Sequence, residues 1–167
     1  MTRPFHLAAL ALASAIVLAA CGSSGSSGTS STISAPAATS ATSSARPASV
    51  VATKTTSLGT FLVDAKGRAL YLWDADHGSM STCSRACAQA WPPLTTAGMP
   101  KAGGKVEASL LGTTTRSNGS REVTYAGHPL YYYAGDSAAG QTSGQGSDSF
   151  GSPWWVVSPA GKAIQKS

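Results

Sequence analysis

Four side chains in one short stretch, joined by a histidine further along, have the types that bind copper. They are His77, Met80, Cys83, Cys87 and His128. Imidazole, thioether and thiolate together suit copper, and reduced copper prefers the sulfur ligands. If the two cysteines are oxidised to each other, however, they are unavailable to a metal. No cofactor is therefore expected, and copper binding or redox chemistry is kept as an alternative.

Asp76 and Asp136 are the second candidates for chemistry, because each ends one copy of a repeated motif. Segments 67–76 and 127–136 both read Gly-x-x-Leu-Tyr-x-aromatic-x-x-Asp. Two carboxylates related by a repeat could flank a substrate as acid and base, but only if they converge in the fold. A short carboxylate at the end of a strand more commonly accepts backbone N–H groups of a turn. We therefore predict turn capping for both and no catalytic residue.

The cysteine pair falls in the one stretch that does not read as β structure. Segment 81–90 starts with a hydroxyl that could cap a helix, and prolines follow Trp91 and forbid continuation. This predicts a short helix, in which the Cys83 and Cys87 side chains are neighbours one turn apart. An oxidising compartment favours a disulfide between them, with a metal-binding or redox-active pair as the alternative.

The N-terminus has the pattern of an export signal. An apolar run over 7–18 follows Arg3 and is too short to cross a bilayer core of about 30 Å. Residues 18–22, Leu-Ala-Ala-Cys-Gly, resemble the lipobox of bacterial lipoproteins. That resemblance implies a signal peptide at 1–20, acylation of Cys21, and attachment to the outer face of the cell membrane or to a periplasmic membrane surface. An ordinary secretory signal with an incidental cysteine is the alternative.

Composition separates a tether from a folded part. The chain has 167 residues, enough for one domain plus appendages. After Cys21, residues up to 49 are almost all Gly, Ser, Thr, Ala or Pro, so 21–49 is predicted to be a flexible linker and 50–167 a β domain. The net charge of +5 is spread without a basic run, so no nucleic-acid partner is expected.

The folded part is predicted to be mainly β, a single small domain of two hairpin-based repeats, at about 58–97 and 105–164. One hairpin is marginal in water, so the copies should fold together. The aromatic residues of the motif should then pack in a shared core, with an exposed platform for sugar rings as the alternative. Those expected to be buried are Tyr71, Trp73, Tyr131 and Tyr133, with Trp91 and Trp154 nearby.

A family resemblance rests on the two Tyr-x4-Asp motifs, Tyr71 to Asp76 and Tyr131 to Asp136, together with the cysteine segment and Gly144-Gln145-Gly146. Together these resemble the bacterial "secreted repeat of unknown function" lipoproteins over about 58–164. The resemblance implies an exported, often lipid-anchored protein with no established biochemical activity.

We therefore predict a non-catalytic, membrane-attached envelope protein that binds a wall polymer, a small molecule or an envelope protein. Two alternatives remain. One is a copper-binding or redox protein that uses His77, Met80 and the cysteine pair, with His128 as a further candidate ligand. The other is an enzyme that acts on envelope polymer through Asp76 and Asp136.

Overall fold

The computed structural model describes residues 47–166. The predicted signal peptide, Cys21 and most of the predicted linker lie outside the described residues. Within 47–166, no helix is long and apolar enough to cross a membrane.

The mainly β prediction is confirmed. The described chain forms eight short strands and one α-helix, joined by turns. In chain order these are β1 (Val50–Thr56), β2 (Gly59–Asp64), β3 (Tyr71–Trp73), α1 (Ala86–Ala90), β4 (Lys101–Ala102), β5 (Leu111–Thr115), β6 (Arg121–Tyr125), β7 (His128–Pro129) and β8 (Trp154–Val156).

Each copy of the repeat contains the predicted hairpin, preceded by one further antiparallel strand. In the first copy β1 pairs with β2, and the chain then turns back so that the Leu70 N–H donates to the Leu62 carbonyl oxygen at 3.0 Å. In the second copy β5 pairs with β6, and the Leu130 N–H donates to the Val123 carbonyl oxygen at 2.9 Å. The two copies therefore repeat the same three-part unit.

The last segment of each copy pairs with the other copy, and we call these segments, around Pro93 and β8, the closing segments. Strand β8, from the second copy, pairs antiparallel with β3 of the first, with Trp154 opposite Trp73. In the same way Pro93, from the first copy, forms an antiparallel bridge with Tyr131 of the second. The next residues along match as well. The Leu62 N–H donates to the Val157 carbonyl oxygen and the Val123 N–H to the Leu94 carbonyl oxygen, both at 2.8 Å.

The centre of this arrangement is the contact between the two motif tyrosines. Tyr71 and Tyr131 donate their backbone N–H groups to each other's carbonyl oxygens, both at 2.9 Å. The two copies are thus related by an approximate two-fold axis through this pair. Each copy lacks part of its pairing until the other is in place, and the described residues fall in one compact unit.

Aromatic rings fill the core between the copies. Trp154 stacks between Trp73 and Trp91, with ring centroids at 5.0 and 3.9 Å, while Tyr71 and Tyr131 meet the stack edge-on. All five rings are buried, as predicted. Tyr133 is only half-buried, because it forms the outer end of the stack against Trp91.

The predicted helix is much shorter than its sequence pattern indicates. It begins at Ala86 and not at Ser81, so Cys87 lies in α1 while Cys83 precedes it. The cause is Arg85, whose φ of 52° and ψ of −120° are incompatible with a helix. The disulfide between the two cysteines is present, with Cα atoms 5.3 Å apart, and both residues are buried.

Candidate functional site

The motif tyrosines and aspartates bond across the repeats. The Tyr71 hydroxyl donates to Asp136 Oδ2 at 2.6 Å, and the Tyr131 hydroxyl donates to Asp76 Oδ2 at 2.5 Å. Each tyrosine therefore binds the aspartate of the other copy. Hydrogen bonds to an ionised acceptor are stronger than neutral ones, so this pair of contacts, which we call the reciprocal brace, ties the copies together.

The second oxygen of each aspartate accepts a backbone N–H group from the chain that follows it, six residues on for Asp76 and seven residues on for Asp136. Asp76 Oδ1 accepts the Thr82 N–H and the Thr82 hydroxyl, both at 2.7 Å. Asp136 Oδ1 accepts the Ser143 N–H at 2.8 Å. Both oxygens of each carboxylate thus accept hydrogen bonds from other parts of the domain, and these bonds hold the fold together.

One half of the brace extends into a buried polar network. The Tyr131 hydroxyl lies 2.6 Å from Ser81 Oγ, which accepts a bond of the same length from Arg116 Nη1. Arg116 Nη1 also donates to Glu122 Oε2 at 2.6 Å, and Nη2 donates to the Cys83 carbonyl oxygen. The network therefore connects the brace, the disulfide loop and strand β6.

Burial dominates the electrostatics of this network. It raises the pKa of the Glu122 carboxyl to about 7, although Arg116 works in the opposite direction and the Asp76 charge adds to the rise. Glu122 Oε1 has no hydrogen-bond partner within the described part of the chain, in agreement with a carboxyl that ionises reluctantly. Burial also raises the pKa of Tyr131, together with the charges of Glu122 and Asp76, so its phenol stays a proton donor to Asp76.

A second polar cluster lies at the turn after β2. Asp64 Oδ2 accepts bonds from Arg68 Nε at 2.9 Å and from the Tyr132 hydroxyl at 3.1 Å, and the Arg68 guanidinium lies 3.9 Å above the Tyr132 ring. Burial alone would raise the pKa of Asp64, but its bonds with Arg68 and the Lys66 N–H outweigh it and lower the value. Asp64 and Tyr132 line an open groove of about 520 Å³.

The structure does not bring the copper candidates together. Cys83 and Cys87 are bonded to each other, His77 and Met80 are exposed, and His128 is half-buried on β7. Among residues 47–166 no three His, Cys, Asp or Glu side chains form a group that could hold a metal ion.

Sequence reasoning missed Arg116 and Glu122. Glu122 interrupts an otherwise apolar and β-branched strand, and a charge at a buried register position was the available signal. Arg116 carries no such signal, because it stands beside the polar turn Asn118-Gly119-Ser120 and looks like a solvated loop residue. These residues form a turn, with Gly119 at a φ of 80°.

Two interlocked copies of one β unit, joined by a reciprocal Tyr–Asp brace, define a tandem-repeat protein. A family model described as a secreted repeat of unknown function matches residues 52–95 and 112–158, more than half of the chain. The chain belongs to this family of exported proteins. No curated protein and no solved structure matches it.

Proposed function

We propose that this exported protein is attached to a membrane through a lipid on Cys21, and that its β domain binds an envelope component without catalysing a reaction. The observation that carries the second half of the proposal is the reciprocal brace. It commits the repeated carboxylates of Asp76 and Asp136 to structural donors on both oxygens.

A carboxyl group that acts as a general acid or base must reach the proton it transfers. Asp76 is 6 % exposed and is held by Tyr131 and Thr82, so a substrate could not approach it without breaking the brace. The repeated residues thus explain why the fold is stable, and recognition falls to the surface around them.

The lipid attachment rests on residues 18–22 and on the linker that follows. A cysteine placed directly after the apolar run becomes the first residue after cleavage in the lipoproteins that this pattern resembles. Acyl chains in such a position supply the apolar surface for anchoring. A linker rich in Gly, Ser and Ala would then let the β domain reach roughly 30 Å from the membrane.

Replacement of the proposed acyl acceptor tests the attachment. In cells grown with an alkyne analogue of palmitate, we expect the full chain to take up label and to sediment with membranes, and Cys21→Ala to do neither. The matched control is the Cys83→Ser/Cys87→Ser double variant, which removes the other two cysteines and should remain labelled. Acyl label on the Cys21→Ala protein would refute the proposed anchor.

Co-sedimentation tests the binding function. The full chain, solubilised in detergent, is mixed with insoluble wall material, either untreated or digested with protease. We expect the protein to be retained and to release no soluble fragments from the polymer. Retention that survives digestion identifies a wall polymer as the partner, and retention lost on digestion identifies an envelope protein. Failure of retention on both samples, or release of polymer fragments, contradicts the proposal.

A further inference from the structure

A pocket of about 380 Å³ lies between the disulfide loop and the turn that joins β5 to β6. No carboxylate and no large apolar side chain lines it. The lining consists of Ser84, Arg85, Ala88, Arg116, Ser117 and Asn118. Two cations, hydroxyls and an amide are the groups that bind oxyanions in proteins.

The two arginines differ in how many of their guanidinium hydrogens are already used in hydrogen bonds. Arg116 uses both Nη1 hydrogens for Ser81 and Glu122 and one Nη2 hydrogen for Cys83. Its Nε–H has no acceptor among the described residues. Arg85 is exposed, and its guanidinium has neither an ion pair nor a hydrogen bond within 47–166. Glu122 pairs with Arg116, whereas Arg85 pairs with no carboxylate of the described residues, so the pocket keeps an uncompensated positive charge.

The backbone of Arg85 has a strained conformation, and a hydrogen bond between its neighbours Ser84 and Cys87 holds it in place. Its φ of 52° and ψ of −120° fit the first central position of a type II′ turn, which the Cys87 N–H closes by donating to the Ser84 carbonyl oxygen at 3.1 Å. Glycine is the residue suited to this conformation, so arginine here lowers stability. Residues with strained backbones cluster at functional sites. At this position arginine supplies a guanidinium group, which glycine lacks.

We propose that this pocket binds an oxyanion, a phosphate or carboxylate group, through Arg85 and Arg116. The inference rests on the proposed binding function only for the source of the group, which would be an anionic component of the envelope. The affinity of the pocket for the free anion is independent of that function.

Thermal unfolding of the full chain in detergent, at constant ionic strength, measures the affinity. Two charge-assisted hydrogen bonds correspond to a Kd of about 1 mM. At about 20 mM phosphate the Tm should therefore rise by about 5 °C. Acetate at the same concentration distinguishes the two chemistries. A rise with phosphate alone assigns the pocket to phosphate, and a rise with acetate alone assigns it to carboxylate.

Arg85→Gly separates binding from stability. Relief of the strained turn should raise the Tm without phosphate, while loss of the guanidinium should weaken binding at least tenfold and abolish the phosphate-dependent rise. A merely structural Arg85 would leave the phosphate effect unchanged in this variant, and that result would overturn the proposal.

Asn118→Asp adds a charge without disturbing the turn. Asn118 Oδ1 accepts the Ser120 N–H and hydroxyl, and an aspartate oxygen can accept both. We expect this variant to unfold near the wild-type Tm and to lose the phosphate effect. Lys162→Ala changes the net charge by the same amount at a residue that does not line the pocket, so this control variant should retain the phosphate effect.

Absence of any phosphate or acetate effect on the wild type refutes anion binding by the pocket but leaves co-sedimentation with the envelope untouched. An anion effect without co-sedimentation overturns the binding function alone.

Discussion

Removal of one phenol oxygen from the reciprocal brace should measurably loosen the whole domain. Tyr131→Phe keeps the ring that meets Trp154 edge-on, with centroids 5.2 Å apart, and deletes only the hydroxyl. Asp76 Oδ2 then loses its 2.5 Å donor, and Ser81 Oγ loses one partner while it keeps its bond with Arg116. Asp76 is almost fully buried, so water cannot easily take the place of the phenol.

A hydrogen bond to a charged group contributes about 1.5–3 kcal/mol. We expect about 2–3 kcal/mol of lost stability for Tyr131→Phe, since its acceptor is buried. Tyr71→Phe should cost about 1–2 kcal/mol, because Asp136 is partly exposed and water can replace the lost donor. For a domain of about 120 residues these losses correspond to a fall in Tm of about 10 °C and about 5 °C.

Double-mutant cycles by urea unfolding test the pairing directly. Tyr131→Phe with Asp76→Asn should show a coupling energy of about 2 kcal/mol, since both remove the same bond. Tyr71→Phe with Asp76→Asn, which lie in one copy but do not bond to each other, should be nearly additive. Strong coupling within a copy and none between copies would refute the reciprocal arrangement.

Three more predictions concern Glu122 and the disulfide. Burial raises the pKa of Glu122 from 4.5 to about 7 in the folded state. The Glu122 carboxyl therefore ionises at a lower pH in the unfolded chain than in the folded one. The free energy of unfolding should then fall as pH rises through this window, by up to about 1.4 kcal/mol per pH unit. Glu122→Gln should flatten that slope in urea titrations, and parallel profiles would contradict it. The Cys83→Ser/Cys87→Ser variant should lose about 2 kcal/mol, since the disulfide closes a very short loop. Native protein should show no thiol in a colorimetric titration at Cys83 and Cys87, whereas a positive reading there would exclude the disulfide.

The local features of the fold were accessible from the sequence. The hairpins and the burial of Tyr71 and Tyr131 follow from turn residues and aromatic spacing. Strands β1 and β5 were not assigned, because they are threonine-rich and half-buried and so lack an alternating apolar pattern. The early part of the predicted helix was wrong because nothing in the residue type of Arg85 indicates a positive φ.

The contacts between residues of different copies could not be predicted from the sequence. The motif places Tyr71 and Asp76 close together in sequence, yet each bonds to the other copy, and no local rule reveals that choice. The ion pair of Arg116 with Glu122 likewise depends on the register of β5 against β6. Contacts of this kind are fixed by tertiary packing, which a periodic pattern does not encode.

The exchanged closing segments bear on when the protein can fold. Strand β3, near the start of the domain, bonds to Tyr131 and to β8, and most of the domain sequence separates β3 from β8. Such non-local pairing makes folding slow, because a long loop must close before the contacts form. A chain crossing a translocation channel from its N-terminus therefore cannot complete its fold while its last strand is still inside.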